Sequence, residues 1–257
     1  MRTISAALAT AQQSGTADPY INITINSTDY SSRLVSLEHI EEPYRSRATI
    51  ILANSDRFLD GTDLRGQKFY IGYGYTSSGT NYYCGDGTSE ATPNLWVISQ
   101  TIVSMEGKSV CVLECEGSWM KLRGITLLMT AKGAPAPYLN ILVNSTDTIM
   151  DLMSTILVEC GFTLVIGTLD TVIQTFKPSF IINPFEFENA AQVLYRLVLM
   201  TRDFLREVEG NVFEIVFPQS TDAVAHTYYS GQAPYFKEYV EKVNTTIPNT
   251  ISVFCNQ

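Results

Sequence analysis

Residues 48–75 read ATIILANSDRFLDGTDLRGQKFYIGYGY, and this stretch decides the class of the first half of the chain. It opens on Thr49-Ile50-Ile51-Leu52, a largely apolar run whose first three residues are β-branched, which favours a pleated, half-buried strand. Asn54 to Gly66 follows with a dense supply of Asn, Asp, Ser and Gly, the residues of turns. The segment closes on residues 68–75, where Phe69, Ile71, Tyr73 and Tyr75 fall on alternate positions and predict one strand with an aromatic face. Gly72 and Gly74 lie inside that strand. They lack the third glycine and following helix of a dinucleotide loop, so they predict a bulge or a close backbone approach.

Working outward, the same period of two recurs. Residues 20–28 alternate Ile21, Ile23 and Ile25 against Asn22, Thr24 and Asn26, a half-buried strand for which residues 33–37 are the expected partner. Residues 95–105 and 110–116 flank the turn Glu106-Gly107-Lys108 and predict a hairpin. Cys111, Leu113 and Cys115 share one face of its second strand, where reduced cysteines act as small apolar residues. Between them, residues 77–94 read as a polar loop that presents Tyr82 and Tyr83, the candidate interface residues of the chain. Before them all, Ile4, Leu8 and Ala11 have helical spacing and predict a short N-terminal helix or arm over residues 1–18.

Past residue 117 the period lengthens. Residues 117–123 predict a helical turn with Ser118 available as its cap, and residues 130–137 are the expected linker. Ile149, Leu152, Met153, Ile156, Leu157 and Cys160 follow helical spacing, with caps expected among residues 145–147 and Gly161 at the C-terminal stop. Residues 162–166 predict a strand, 188–201 a second helix, and 204–208 with 212–217 a second hairpin. Residues 221–234 read as a loop, 236–243 as a short helix and 251–254 as a last strand. The expected fold is therefore α+β: an antiparallel β-barrel-like domain over 19–128, then a mixed α+β domain over 138–257.

The chemistry of the chain is sparse. Its 257 residues carry a formal charge of -9 with scattered basic residues, which disfavours specific nucleic-acid binding. No stretch approaches a membrane span. With two histidines, His39 and His226, no His-rich metal site can be built, and Asp60-Gly61-Thr62-Asp63 does not match a calcium loop. The carboxylate pairs Glu41/Glu42, Glu114/Glu116 and Glu186/Glu188 read as solvated faces and a helix start rather than as catalytic pairs. Ser118 and Lys121 stand alone without the rest of a Ser-x-x-Lys site. The five cysteines have no metal spacing, and Asn-x-Thr sequons at Asn22, Asn26, Asn144 and Asn244 matter only on a secretory route. The expectation is a non-enzymatic protein with no catalytic, metal or cofactor residue.

The opening stretch also resembles the first-barrel region of phage tail hub and baseplate proteins. The matching positions are Leu52, Asn54, Asp56, Leu64, Gly66, Gly72, Tyr73 and Gly74. The order beyond it is similar as well: a hairpin with a VCVLEC strand, a short helix near Trp119 and Leu122, a capped helix, Pro178-Ser179-Phe180, the helix ENAAQVLYRL and another hairpin. Residues 248–253, PNTISV, resemble the strand that opens the second barrel of such hubs. The resemblance implies a virion protein at the tail tip: a homotrimeric ring with pseudo-sixfold symmetry, contacting tail tube, tape-measure and fibre or tip proteins and leaving a path for DNA. Full hubs usually carry two barrels, and the resemblance reaches only the start of a second, so the expectation is a fragment of a longer hub or a shorter variant. A receptor- or carbohydrate-binding β-module of a viral particle, using Tyr82 and Tyr83, is the alternative.

Overall fold

Alternation in the first half and helical spacing in the second produce two cores that meet at one strand. The computed structural model describes residues 3–14, 16–105, 107–126, 142–144, 146–182 and 188–219. The order is α1 (Ala6–Gln13), β1 (Asp18–Ile25), β2 (Thr28–Asp29), β3 (Leu34–Glu42), β4 (Arg45–Ala53), β5 (Lys68–Phe69), β6 (Ile71–Ser77), β7 (Thr80–Tyr83), β8 (Leu95–Met105) and β9 (Lys108–Glu116). There follow α2 (Ser118–Gly124), β10 (Leu142–Asn144), α3 (Ile149–Glu159), β11 (Thr163–Ile166), α4 (Thr171–Thr175), β12 (Phe180–Ile182), α5 (Ala190–Val198), β13 (Phe204–Val208) and β14 (Val212–Val216). The α+β class expected from the sequence is the class observed, with curled antiparallel half-barrel sheets in the N-terminal part. The expected linker, the helix at 236–243 and the strand at 251–254 lie outside the described residues.

Two sheets share the first core. One runs β2-β1-β6-β7, the other β3-β4-β9-β8-β5. In the second, Ala48, Ile50 and Leu52 of β4 stand opposite Cys115, Leu113 and Cys111 of β9. All six are buried, and they pack with Ile23, Ile25 and Ile71 from the other sheet. The period of two is thus the direct cause of this core: each strand offers one apolar face, and the two faces exclude water from each other.

The partner expected for β1 is not the one it takes. Residues 33–37 belong to β3, which pairs with β4, while β1 pairs with β6 from Asp18↔Thr76 to Ile23↔Ile71. The reason is local. Asn26 and Ser27 both hold positive φ, a two-residue turn that returns the chain as the two-residue β2. A 3-10 turn at Ser31–Arg33 then sends the chain to the other sheet, and the Ser31 hydroxyl accepts the Ile23 N–H at 2.9 Å.

The strand expected at residues 68–75 is divided in the same way. β5 pairs with β8 in one sheet and β6 with β1 in the other, so the chain crosses at Tyr70. Thr92 holds that corner: its hydroxyl accepts the Ile71 N–H at 3.0 Å and donates to the Ile71 carbonyl at 2.9 Å. Phe69 and Ile71 remain in the core, whereas Tyr73 reaches solvent. Residues 77–94 are not wholly loop either, because Ser78 and Gly79 at positive φ fold β7 back on β6.

The second core follows the sequence more closely. Ile149, Leu152, Met153, Ile156 and Leu157 form the buried face of α3. Its cap is Thr148, one residue beyond the expected span, in a reciprocal box with Asp151. Gly161 holds φ +79° at the C-terminal stop, the left-handed geometry that glycine adopts without strain. α5 is capped by the same device from Asn189 and Gln192, and it buries Ala190, Val193, Leu194 and Leu197. Both helices pack with a sheet ordered β11-β14-β13, in which β11 and β14 run parallel. The short α4, capped by Asp170, was not anticipated; five residues carry too little periodicity to announce it.

β8 serves both cores. Leu95 and Val97 point into the first, and Trp96 between them joins the second. Alternation along one strand therefore couples the two regions directly.

Candidate functional site

Tyr82 and Tyr83 lie on β7 rather than on a loop. The strand is held close to β6 because Gly74 has no side chain: a Cβ there would stand 1.8 Å from the Tyr82 carbonyl oxygen. A Cβ at Gly72 would stand 2.7 Å from the Tyr83 ring. The Gly72-Tyr73-Gly74 stretch is thus the close backbone approach that its glycines predict. Tyr82 pairs with Tyr75, and the half-buried Tyr83 ring packs against Tyr20 with centroids 5.8 Å apart.

The loop that follows is tightly built. Asp86 accepts the Thr88 and Ser89 N–H groups, both at 2.9 Å, and Tyr70 donates to the Gly85 carbonyl at 2.7 Å. Ser89 and Glu90 then tie down the N-terminal arm, accepting the Ser5 N–H at 3.0 Å and the Thr3 N–H at 2.7 Å. Glu209, from the β13–β14 turn, accepts the Ala91 N–H at 3.0 Å, and Asn94 donates to the Asn211 side chain.

The other distinctive surface is an aromatic cleft where the two regions meet. It was missed in the sequence, although Pro43-Tyr44 between two predicted strands and Trp119 at a helix start were its visible signs. Tyr44 occupies the β3–β4 turn at φ +65°, an unfavourable position for a bulky residue. Its ring lies edge-on to Trp119 at 5.0 Å and to Tyr195 at 5.3 Å. Trp119 in turn meets Phe213 at 5.4 Å, and Phe213 meets Phe162 at 5.3 Å. Such edge-to-face pairs stabilise by about 0.5–1.5 kcal/mol each beyond burial, enough together to offset the strain at Tyr44. Burial pushes the Tyr44 phenol up, opposed by a hydrogen bond from the Leu205 backbone.

Two cavities flank Tyr44 and Trp119. The larger, about 310 Å³, adds Arg123, Asn189, Gln192 and Tyr195 to them. The smaller, about 180 Å³, is lined on its polar side by Glu41, Glu42, Ser46, Arg206 and Glu207. Glu207 also replaces the expected cap of α2. The Ser118 side chain caps nothing; instead the Glu207 carboxylate accepts the Ser118 N–H at 2.9 Å and the Trp119 N–H at 3.4 Å. The first turn of a helix leaves such donors without intrahelical partners, and a carboxylate suits them. Burial, with Glu41 nearby adding to it, holds the Glu207 carboxyl above the usual carboxylate range.

The remaining candidates are dispersed. His39 lies within β3 and meets the Tyr73 hydroxyl at 2.9 Å, linking the two sheets. Asp60 accepts from the buried Asn54 at 2.7 Å, and Asp63 pairs with Arg65 at 2.9 Å. Among the described residues no three His, Cys, Asp or Glu side chains come together as a metal site. Cys111, Cys115 and Cys160 are free thiols, and burial pushes Cys115 up to about 12 and Cys160 up to about 11. Among the described residues no helix is long and apolar enough to cross a membrane.

No family model matches the chain, and no curated protein matches it by sequence. Solved structures do. The tail protein from Neisseria meningitidis MC58 superposes with a TM-score of 0.54 at 11% identity, over 80% of this chain and 53% of that one. The 43 kDa tail protein of prophage MuSo2 from Shewanella oneidensis gives 0.52 at 12% identity, over 77% of this chain and 53% of that one. The fold is shared with phage tail proteins. This is the likeness expected from residues 48–75, and the chain spans about half the length of each neighbour.

Proposed function

We propose that the chain is a structural subunit of a bacteriophage tail, and within the tail a hub subunit at the tip. Its fold carries this reading, shared as it is with two tail proteins over about four fifths of the chain. In this role the protein assembles as a homotrimeric ring between tail tube and tip. It contacts tube, tape-measure and fibre or tip proteins and leaves a path for DNA. A ring follows from one heterologous contact repeated about an axis. The surface is suited to such contacts: Val35, Ile98, Val158, Ile166 and Leu199 are large apolar side chains left exposed. A low content of charged residues, 17%, also fits permanent interfaces, whose centres are depleted in charge. The role proposed is structural and not catalytic.

Antibody raised against the purified chain, applied to intact tailed particles and viewed by gold labelling, tests the placement. Label at the free end of the tail is the expected result. Label along the tube or on the head, or particles that carry no label while the chain remains free in the lysate, would remove the tip assignment.

A further inference from the structure

Among the described residues, five other than glycine hold positive φ: Asn26, Ser27, Tyr44, Arg57 and Ser78. Asn26, Ser27 and Ser78 turn hairpins, and the strain at Tyr44 is offset by its aromatic neighbours. Arg57, at φ 56° and ψ 22°, has no such compensation. It is exposed, and among the described residues no hydrogen bond or ion pair holds its guanidinium. Left-handed backbone is costly for a residue with a Cβ, and such strain collects at functional sites. The loop around Arg57 is well fixed. The buried Asn54 accepts the Leu59 N–H on its side chain at 2.8 Å and the Arg57 N–H on its carbonyl at 2.9 Å. Asp56 accepts two bonds from the Arg33 guanidinium, at 2.8 and 2.6 Å, and Arg33 lies 4.9 Å over the Phe58 ring. Leu59 is anchored in the core, while Phe58 beside it is 50% exposed. The fold thus holds Arg57 and Phe58 out in water on a braced tip, and both residue types are enriched at protein interfaces.

We propose that this tip is a knob that docks on a second copy of the chain, on the outer face of its five-stranded sheet at Glu38 and Glu114. The register of that sheet places the two carboxylates on either side of Thr49, Glu38 from β3 and Glu114 from β9. One row along the same face, Ile51 of β4 stands opposite Val112 of β9, and both are half-buried. Glu38 and Glu114 are exposed, and among the described residues neither takes part in an ion pair. The two patches are complementary. Arg57 and Arg33 outweigh Asp56, so the tip is positive on a chain whose net charge is -9. Its guanidinium meets carboxylates, and the Phe58 ring meets the apolar row. A second copy is the occupant this match favours: knob and receiving face are different patches of one chain, and that is the heterologous contact a ring repeats. The inference rests on the ring proposed above and names the surfaces that would close it.

The test follows dissociation of the intact chain on dilution by light scattering, together with its melting temperature. Arg57→Gly removes both the strain and the guanidinium. It should raise the melting temperature by about 2–4 °C and yet make the oligomer dissociate about tenfold more readily. A residue with a structural role alone would not move the two readings in opposite directions. Phe58→Ala should weaken association by about as much. Arg57→Glu should weaken it further, and adding Glu38→Arg with Glu114→Arg to the same chain should restore it. Variants that associate as tightly as the parent, or a charge swap that restores nothing, would overturn the docking and leave the ring standing. Weaker association confined to variants that also melt lower would overturn it as well. A parent that stays monomeric at every concentration would overturn the docking and the ring together.

Discussion

The two cores of this protein are built from the same kinds of apolar side chain, yet they divide the work differently. In the first, Ile23, Ile50, Leu52 and Leu113 come from strands far apart in sequence, and two short corners decide which sheet each strand joins. In the second, α3 and α5 each bring a complete apolar face formed locally, and the three-stranded sheet receives them. The lesson is that a helix carries its packing surface with it, whereas a strand acquires one only when its partner is fixed. Trp96 then binds the two solutions together.

The strongest way to break this comparison is to open a hole in each core. Phe213→Ala in the second is expected to cost about 4 kcal/mol, and Leu113→Ala in the first about 3 kcal/mol. Because β8 serves both, each should lower one and the same thermal transition, by about 10 °C. Two separate transitions by calorimetry, with each substitution moving only one, would show that the regions fold independently and that Trp96 couples nothing.

Gly74→Ala tests the first region alone. Its methyl would meet the Tyr82 carbonyl, so β6 and β7 must separate at a cost of about 2–3 kcal/mol. Amide exchange should rise in β6 and β7 while α3 and α5 stay protected.

Glu207→Ala tests the second region, where β13 holds the start of α2. It leaves the Ser118 and Trp119 N–H groups without their acceptor and should cost about 2 kcal/mol in chemical denaturation. Glu207→Gln, which keeps an acceptor oxygen, should cost about half as much.

Acid gives the smallest effects, and the two regions contribute opposite signs. The Arg33 guanidinium holds Asp56 down at about 2, so its contribution is present above the ordinary carboxylate range and is lost as pH falls toward 2. Glu207 is raised by burial, so the folded state keeps its proton at a pH where the unfolded chain has lost it. Stability therefore rises as pH falls through that raised value. Melting curves across pH 7 to 2 should show the acid loss reduced by Asp56→Asn and the rise above it flattened by Glu207→Gln.

Much of this architecture is legible in the chain, for reasons that differ between the regions. The faces of α3 and α5, the hairpin of β8 and β9 and the buried row Cys111-Leu113-Cys115 follow from spacing alone. What spacing does not carry is the choice of partner. Residues 68–75 alternate without interruption, and nothing in that alternation reveals that Thr92, far along the chain, turns it between sheets at Tyr70. The aromatic cleft was illegible for the same reason: Tyr44, Trp119 and Tyr195 come together only through the tertiary fold, and Glu207 reaches α2 across 89 positions. Tyr82 and Tyr83 read as loop residues in the sequence, since a four-residue strand is too short for period two to show.

The most direct test of the central claim is the mass of the purified chain in solution, measured by light scattering during size exclusion. The account predicts a discrete trimer, three copies of the 28.6 kDa chain, persisting on dilution. A monomer at every concentration would contradict it.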